Sequence, residues 1–278
     1  MSELDGLADV LPGNLRSVWP HVAECANRVG GVLMGGTAVA IHLRHRISED
    51  LDVITLEDFS GKAQEKRLRA AASVVDVEEV ADSMFHGFVD GVRVDIFRAL
   101  PTNEVQPSDM QWVAPPTEVV GMTVGSIPDL MAAKLDVIRL RPKLRDYLDL
   151  AAMDQSGACS LEAGLGYYCR RFGYSHPPHV LEEITRLLDR PGKLPTDPDY
   201  EDRRAGALDH LQGRAPDLRD RIAEMRDIAV NDSVAGSAQR VRETERASDS
   251  GLCGKWMPTA GTHCVLDPDH EGHCQSER

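Results

Sequence analysis

Apolar residues recur at helical spacing between residues 15 and 29, with Leu15, Val18, Trp19, Val22 and Ala26 on one stripe, and predict an amphipathic helix. The run GVLM at 31–34 is short, apolar and bounded by glycines, so it predicts a buried strand. Gly35 and Gly36 turn the chain, and Thr37 stands where a hydroxyl can cap a helix through AVAIHLR, residues 38–44. LDVITL at 51–56 is the next strand, and 61–74 reads as an exposed helix. Strands follow at 75–80, 85–89 and 92–97, the last two joined at Asp90-Gly91, a hairpin signal.

Beyond about residue 120 the pattern becomes helical. Ser126, Pro128 and Asp129 mark a helix start, and the helix runs to about Leu140. Pro142 opens a second helix, PKLRDYLDLAAM, at 142–153. Further helices run to about residue 229 around a proline-rich loop at 190–200. The order predicts an α+β fold, with a mixed αβ domain over 1–120 and a helical domain over 121–230. A polar linker at 231–251 then leads to a small Cys/His-rich module at 252–278.

Hydrophobic residues make up 42% of the 278 and aromatic residues 5%, so the core is aliphatic. No stretch approaches the ~20 apolar residues of a membrane span. The acidic N-terminus has no secretory pattern. The six cysteines, split between body and tail, do not form a disulfide framework, which suits a reduced, cytoplasmic protein. The net charge of -14 argues against nonspecific coating of nucleic acid. It leaves room for a local basic groove: Arg139, Arg141, Lys143 and Arg145 lie together with no acid among them.

Strand alternation changes this picture from composition to chemistry. Asp50 and Asp52 share one face of their strand while Leu51 and Val53 take the other. Two adjacent carboxylates raise each other's pKa unless a cation sits between them, and Mg²⁺ with substrate phosphates would relieve that conflict. Asp95 interrupts the apolar alternation of VRVDIF. If that strand neighbours 51–56, three carboxylates converge. The Gly35-Gly36-Thr37 turn would let the backbone approach a phosphate at a helix N-terminus. Arg46 and Ser48 stand just before the carboxylates and can touch phosphate or serve the loop. Lys134 lies on an apolar stripe with Ile127, Met131 and Ile138, where it needs an anionic partner such as a triphosphate, or else snorkels at the core rim. Asp146 and Asp149 fall early in the next helix, where acids are favoured anyway. His42, His45 and His86 are read as surface residues.

The segments GGTAVAIHLRHRISEDLDV, VRVDIF and IPDLMAAKLDVIRLRPKLRDYLDLAAM together resemble the AbiEii/AbiGii (MenT-like) toxin family of the DNA polymerase beta type nucleotidyltransferase superfamily. The resemblance covers roughly residues 30–152. It implies a nucleotidyltransferase-type mixed sheet with flanking helices and a following helical domain that contributes to the active site. It also implies Mg²⁺ on Asp50, Asp52 and Asp95, and NTP on Gly35, Gly36, Thr37, Arg46, Ser48 and Lys134. Asp146 becomes an active-site residue. The implied activity is nucleotide transfer from NTP to tRNA 3′ ends by a toxin with a cognate antitoxin. A small-molecule nucleotidyltransferase of aminoglycoside type, and a catalytically silent binding protein of the same fold, are the alternatives. In the tail, Cys253, Cys264, His270 and Cys274 could bind Zn²⁺, with His263 and His273 as alternative ligands.

Overall fold

A computed structural model describes residues 3–99, 111–172 and 178–224, together with 256–257 and 262–263. The chain divides into two compact units, Met1–Ile222 and Ala223–Arg278.

The first unit opens with a short 3₁₀ turn, Glu3–Leu7, and then α1 (Gly13–Arg28). There follow β1 (Val32–Met34), α2 (Gly35–Leu43), β2 (Asp50–Thr55) and α3 (Gly61–Ala71). Three strands come next: β3 (Val75–Ala81), β4 (Met84–Val89) and β5 (Val92–Arg98). The hairpin of β6 (Thr117–Val119) and β7 (Met122–Val124) precedes the helices. These are α4 (Ile127–Leu140), α5 (Leu144–Gln155), α6 (Leu161–Arg171), α7 (Pro178–Asp189) and α8 (201–224).

The strands form one mixed sheet in the order β3-β4-β5-β2-β1-β7-β6. At its centre β2 runs parallel to β5 and antiparallel to β1. Leu51, Val53, Val92, Val94 and Ile96 are buried on one face, and α1 and α3 pack against the sheet. The opposite face of β2 and β5 carries the polar residues of the alternation, and that face is where a site can be built. α4 packs against α2, α5, α6 and α7, which joins the helical half to the strand–turn–helix segment at β1–α2.

Three details depart from the sequence expectations. α2 begins at Gly35 with Met34 as N-cap, so Thr37 lies inside the first turn and caps nothing. The β6–β7 hairpin is an element that the sequence pattern does not mark; its turn residues Val120 and Gly121 both have positive φ, and Trp19 Nε1 donates to the Val120 carbonyl at 3.0 Å. α5 begins at Leu144, two residues after Pro142. The expected start of α4 is present: Ser126 Oγ accepts from the Asp129 amide. Asp129 in turn accepts from Ser126 Oγ at 2.6 Å, from the amides of Val113 and Ala114, and from Arg171 Nη1 at 2.6 Å. This buried carboxylate pins the chain before β6 to α4 and α6.

In the second unit, β8 (Trp256–Met257) pairs with β9 (Thr262–His263). The linker at 231–251 and the zinc-site residues Cys253, Cys264, His270, His273 and Cys274 lie outside the described residues. His263 is placed only as a strand residue of β9. Among the described residues, no helix is long and apolar enough to cross a membrane.

Candidate active site

A cleft of about 720 Å³ opens over the polar face of β2 and β5 and is closed on its far side by α4 and α5. β2 supplies Asp50, Asp52 and Ile54; β5 supplies Arg93, Asp95 and Phe97; β4 adds His86. Parallel pairing sets Asp52 directly beside Asp95, and Asp50 beside Arg93. The shared face of the two aspartates is thus a consequence of alternation, and their adjacency a consequence of register.

Asp52 is a strained carboxyl. Burial, then the neighbouring carboxylates of Asp95 and Asp50, push its pKa up from 3.8 to about 6, against the opposing pull of Lys134 and Arg141. Its carboxylate also lies against Gly35, where φ is 68° and a Cβ would collide with it. Gly36 is bare for a matching reason: a Cβ there would strike the Arg46 guanidinium. The two glycines let carboxylate and guanidinium pack against the first turn of α2. No side chain caps that helix end. Gly35 and Gly36 line the cleft, so it reaches the N-terminal end of a helix, a place that suits an anion.

Thr37 is not brought to the cleft. It is buried; its hydroxyl donates to the Asp50 carbonyl and accepts from Ser48 Oγ at 2.8 Å. The Thr37–Ser48 pair fixes the start of β2, and Ser48 also reaches the cleft wall.

Lys134 has its anionic partners within the protein. Nζ lies 2.7 Å from Asp146 Oδ1 and 2.7 Å from Asp149 Oδ2, with the side chain 8% exposed. Burial alone would lower the lysine's pKa; Asp149 and Asp146 outweigh it and hold the group protonated. Asp149 is the hub. Arg46 grips it through Nε at 2.7 Å and Nη2 at 2.9 Å, and His45 Nε2 lies 2.8 Å from Oδ1. Burial raises the Asp149 carboxyl, but Lys134 and Arg46 more than offset this and keep it far below the usual carboxylate range. Lys134 thus meets its need for an anion within the chain, and it also lines the cleft. Asp149, expected only as a helix-start acid, is a buried counter-ion for two cations.

The histidines expected at the surface are engaged. His42 Nε2 lies 2.9 Å from the Gly125 carbonyl, His45 holds Asp149, and His86 Nδ1 comes within 3.0 Å of Asp95 Oδ1, off hydrogen-bond geometry. Arg139 leaves the expected basic cluster, because Glu183, Tyr168 and Asp136 hold its guanidinium. Arg141, Lys143 and Arg145 remain on the cleft wall.

The three carboxylates share a face but do not converge. Among the described residues, no three His, Cys, Asp or Glu side chains are gathered to enclose a metal. Asp50 Oδ2 stands 3.7 Å from Arg145 Nη1, and Asp95 Oδ2 accepts from Arg93 Nε at 3.1 Å. The residues nonetheless fit a hard cation in kind. All donors are carboxylate oxygens, Asp95 Oδ1 is buried without a hydrogen-bond partner, and Asp52 is destabilised in its charged form.

The chain is a nucleotidyltransferase. It belongs to the family described as the nucleotidyl transferase AbiEii toxin of type IV toxin–antitoxin systems, which matches residues 26–227. No curated protein matches the sequence. Among solved structures, an H. pylori protein described as a candidate nucleotidyltransferase is similar at 16% identity and TM-score 0.47, over 76% of this chain and 93% of that one. JHP933 from Helicobacter pylori is similar at 16% identity and TM-score 0.42, over 78% and 93%. The Megavirus polyadenylate synthase is similar at 10% identity and TM-score 0.34, over 63% and 37%.

Proposed function

We propose that the chain is a Mg²⁺-dependent toxin that transfers a nucleotide from NTP to the 3′ end of tRNA in the cytoplasm, restrained by an antitoxin partner. The observation that carries the reading is the pairing of Asp52 with Asp95 beside the uncapped first turn of α2, within one cleft. The acceptor oxygen bonds to the α-phosphorus, and the bond from that phosphorus to the bridging oxygen breaks. Pyrophosphate leaves. The acceptor proton passes to Asp95 or Asp146, each of which has a buried oxygen without a hydrogen-bond partner. Asp50, Asp52 and Asp95 would hold Mg²⁺, which when bound neutralises phosphate charge and polarises the α-phosphate.

Charge balance within the cleft supports one set of groups for the triphosphate tail. Lys134 and Arg46 are answered by Asp146 and Asp149, and Arg93 by Asp95 and Glu78. Arg141 and Lys143 are exposed on the cleft wall and, among the described residues, form no ion pair, although Arg141 acts on Asp52 at longer range. With the amides of α2, they grip the β- and γ-phosphates. Arg141→Gln with Lys143→Gln should raise KM for NTP at least about tenfold, equivalent to ~1.4 kcal/mol, and flatten its salt dependence. Thermal stability should hold within about 0.5 kcal/mol, as for surface substitutions. An unchanged KM would remove both residues from the phosphate site.

The overall reading is tested by incubating the full chain with α-phosphate-labelled NTPs and, in separate reactions, bulk tRNA or aminoglycosides, with Mg²⁺ or with a chelator. Label on tRNA only with Mg²⁺ is expected. Label on aminoglycosides and none on RNA would replace the acceptor; no label on any acceptor would end the reading.

A further inference from the structure

The nucleotide cleft does not end at Arg46 and Arg145. Both residues also line a second cleft of about 630 Å³, walled by the loop before β2 on one side and by residues 197–203 on the other. Each volume lies within the ~300–1,000 Å³ of a single small-ligand site. A transfer reaction has two substrates, and the two clefts share a wall.

We propose that this second cleft receives the 3′-terminal nucleotide of the acceptor RNA, an inference that rests on the reading of RNA as acceptor. The cleft is a built feature. Tyr200 Oη donates to the Ile47 carbonyl at 2.9 Å, and Arg203 Nη1 donates to the His45 carbonyl at 2.8 Å. The Arg46 guanidinium lies 5.7 Å from the Tyr200 ring centre. These contacts hold the two walls together at fixed spacing.

The wall chemistry selects the occupant. Glu49, Asp199 and Asp202 line the cleft with no side-chain partner among the described residues, and they call for hydrogen-bond donors. Arg203 has no carboxylate partner among the described residues either and calls for an anion. Ile47, 52% exposed on the same wall, offers an apolar surface. A polycation would leave Arg203 opposed, and a bare polyanion would face three carboxylates. A terminal nucleotide answers all three demands: its phosphate meets the guanidinium, its hydroxyls and base amines donate to the carboxylates, and its base covers Ile47. Arg145 stands at the junction, with Nε 3.4 Å from Asp197 Oδ2 and Nη1 3.7 Å from Asp50 Oδ2. An acceptor hydroxyl passing this side chain arrives beside the β2 carboxylates.

The test fills the second cleft and leaves the first intact. Ile47→Trp, and separately Asp199→Tyr from the opposite wall, should each raise KM for bulk tRNA at least about tenfold while KM for NTP and melting temperature stay unchanged. Bulk tRNA carrying a photoreactive 3′-terminal nucleotide should cross-link to residues 46–49 and 197–203. Wild-type tRNA kinetics in both variants, or cross-links confined to other segments, would overturn the proposal while leaving the RNA reading in place. Failure of the unaltered chain to label tRNA at all would remove the RNA reading and this inference with it.

Discussion

Asp52→Asn abolishes transfer and makes the metal-free protein more stable. The activity loss is at least about 10³-fold, the scale of removing a group that stabilises transition-state charge. The stability gain follows from linkage. The folded-state pKa of Asp52 is raised from 3.8 to about 6. The folded chain thus binds the proton more tightly than the unfolded chain, and stability falls as pH rises from about 4 to about 6. Above that window the charged carboxylate costs about 2 kcal/mol, somewhat less than the full shift at 1.36 kcal/mol per unit would give. The Asn variant lacks this cost, so its advantage should be absent near pH 4 and fully present at pH 7. Mg²⁺ should stabilise the wild type by mass action and the variant much less. Melting curves at two pH values, each with and without Mg²⁺, check all of this. A variant less stable than wild type at pH 7 without metal would contradict the strained-carboxylate account.

Asp149→Asn has the opposite signature. Removing this charge leaves Lys134 and Arg46 buried without their shared counter-ion. Breaking a buried ion pair from one side costs about 3–5 kcal/mol, a large part of the ~5–15 kcal/mol that holds a domain folded. At ~2–4 °C per kcal/mol for a unit of this size, the melting temperature should fall by roughly 10 °C. The Asp149 carboxyl is held far below its ordinary value, so its contribution is fully present above about pH 4 and fades as pH falls toward the folded pKa. The deficit of the variant should therefore be largest at neutral pH and shrink in acid. A melting temperature within 2 °C of wild type would show that the hub carries no net stability.

Local periodicity made part of this site legible. The alternation of β2 and β5 places Asp50, Asp52 and Asp95 on one face, and the glycines before α2 mark the close approach that Asp52 and Arg46 make. What periodicity could not convey is which partner sits opposite a charged side chain. Lys134 on its apolar stripe announces a need for an anion, but only the packing of α4 against α5 shows that Asp146 and Asp149 meet it. His45 and His86 look like surface residues because their partners, Asp149 and Asp95, are distant in the chain or on a neighbouring strand. The β6–β7 hairpin was hidden for a different reason. Its strands are three residues long, and Val-Gly at the turn lacks the Asn-Gly or Asp-Gly signal that marks left-handed turn residues.

The clasp between residues 45–47 and residues 200–203 also sets a timetable. Arg46 meets Asp149 only after 103 residues of chain, and Ile47 meets Tyr200 only after 153. Synthesis proceeds from the N-terminus at roughly 5–20 residues per second. The aspartates of β2 are thus made many seconds before the segments that align the loop beside them can emerge from the ribosome. A nascent chain holds the chemical groups of a toxin without the machine. The interval between the two is a window in which a newly made chain carries its carboxylates but has not yet closed the cleft walls around them.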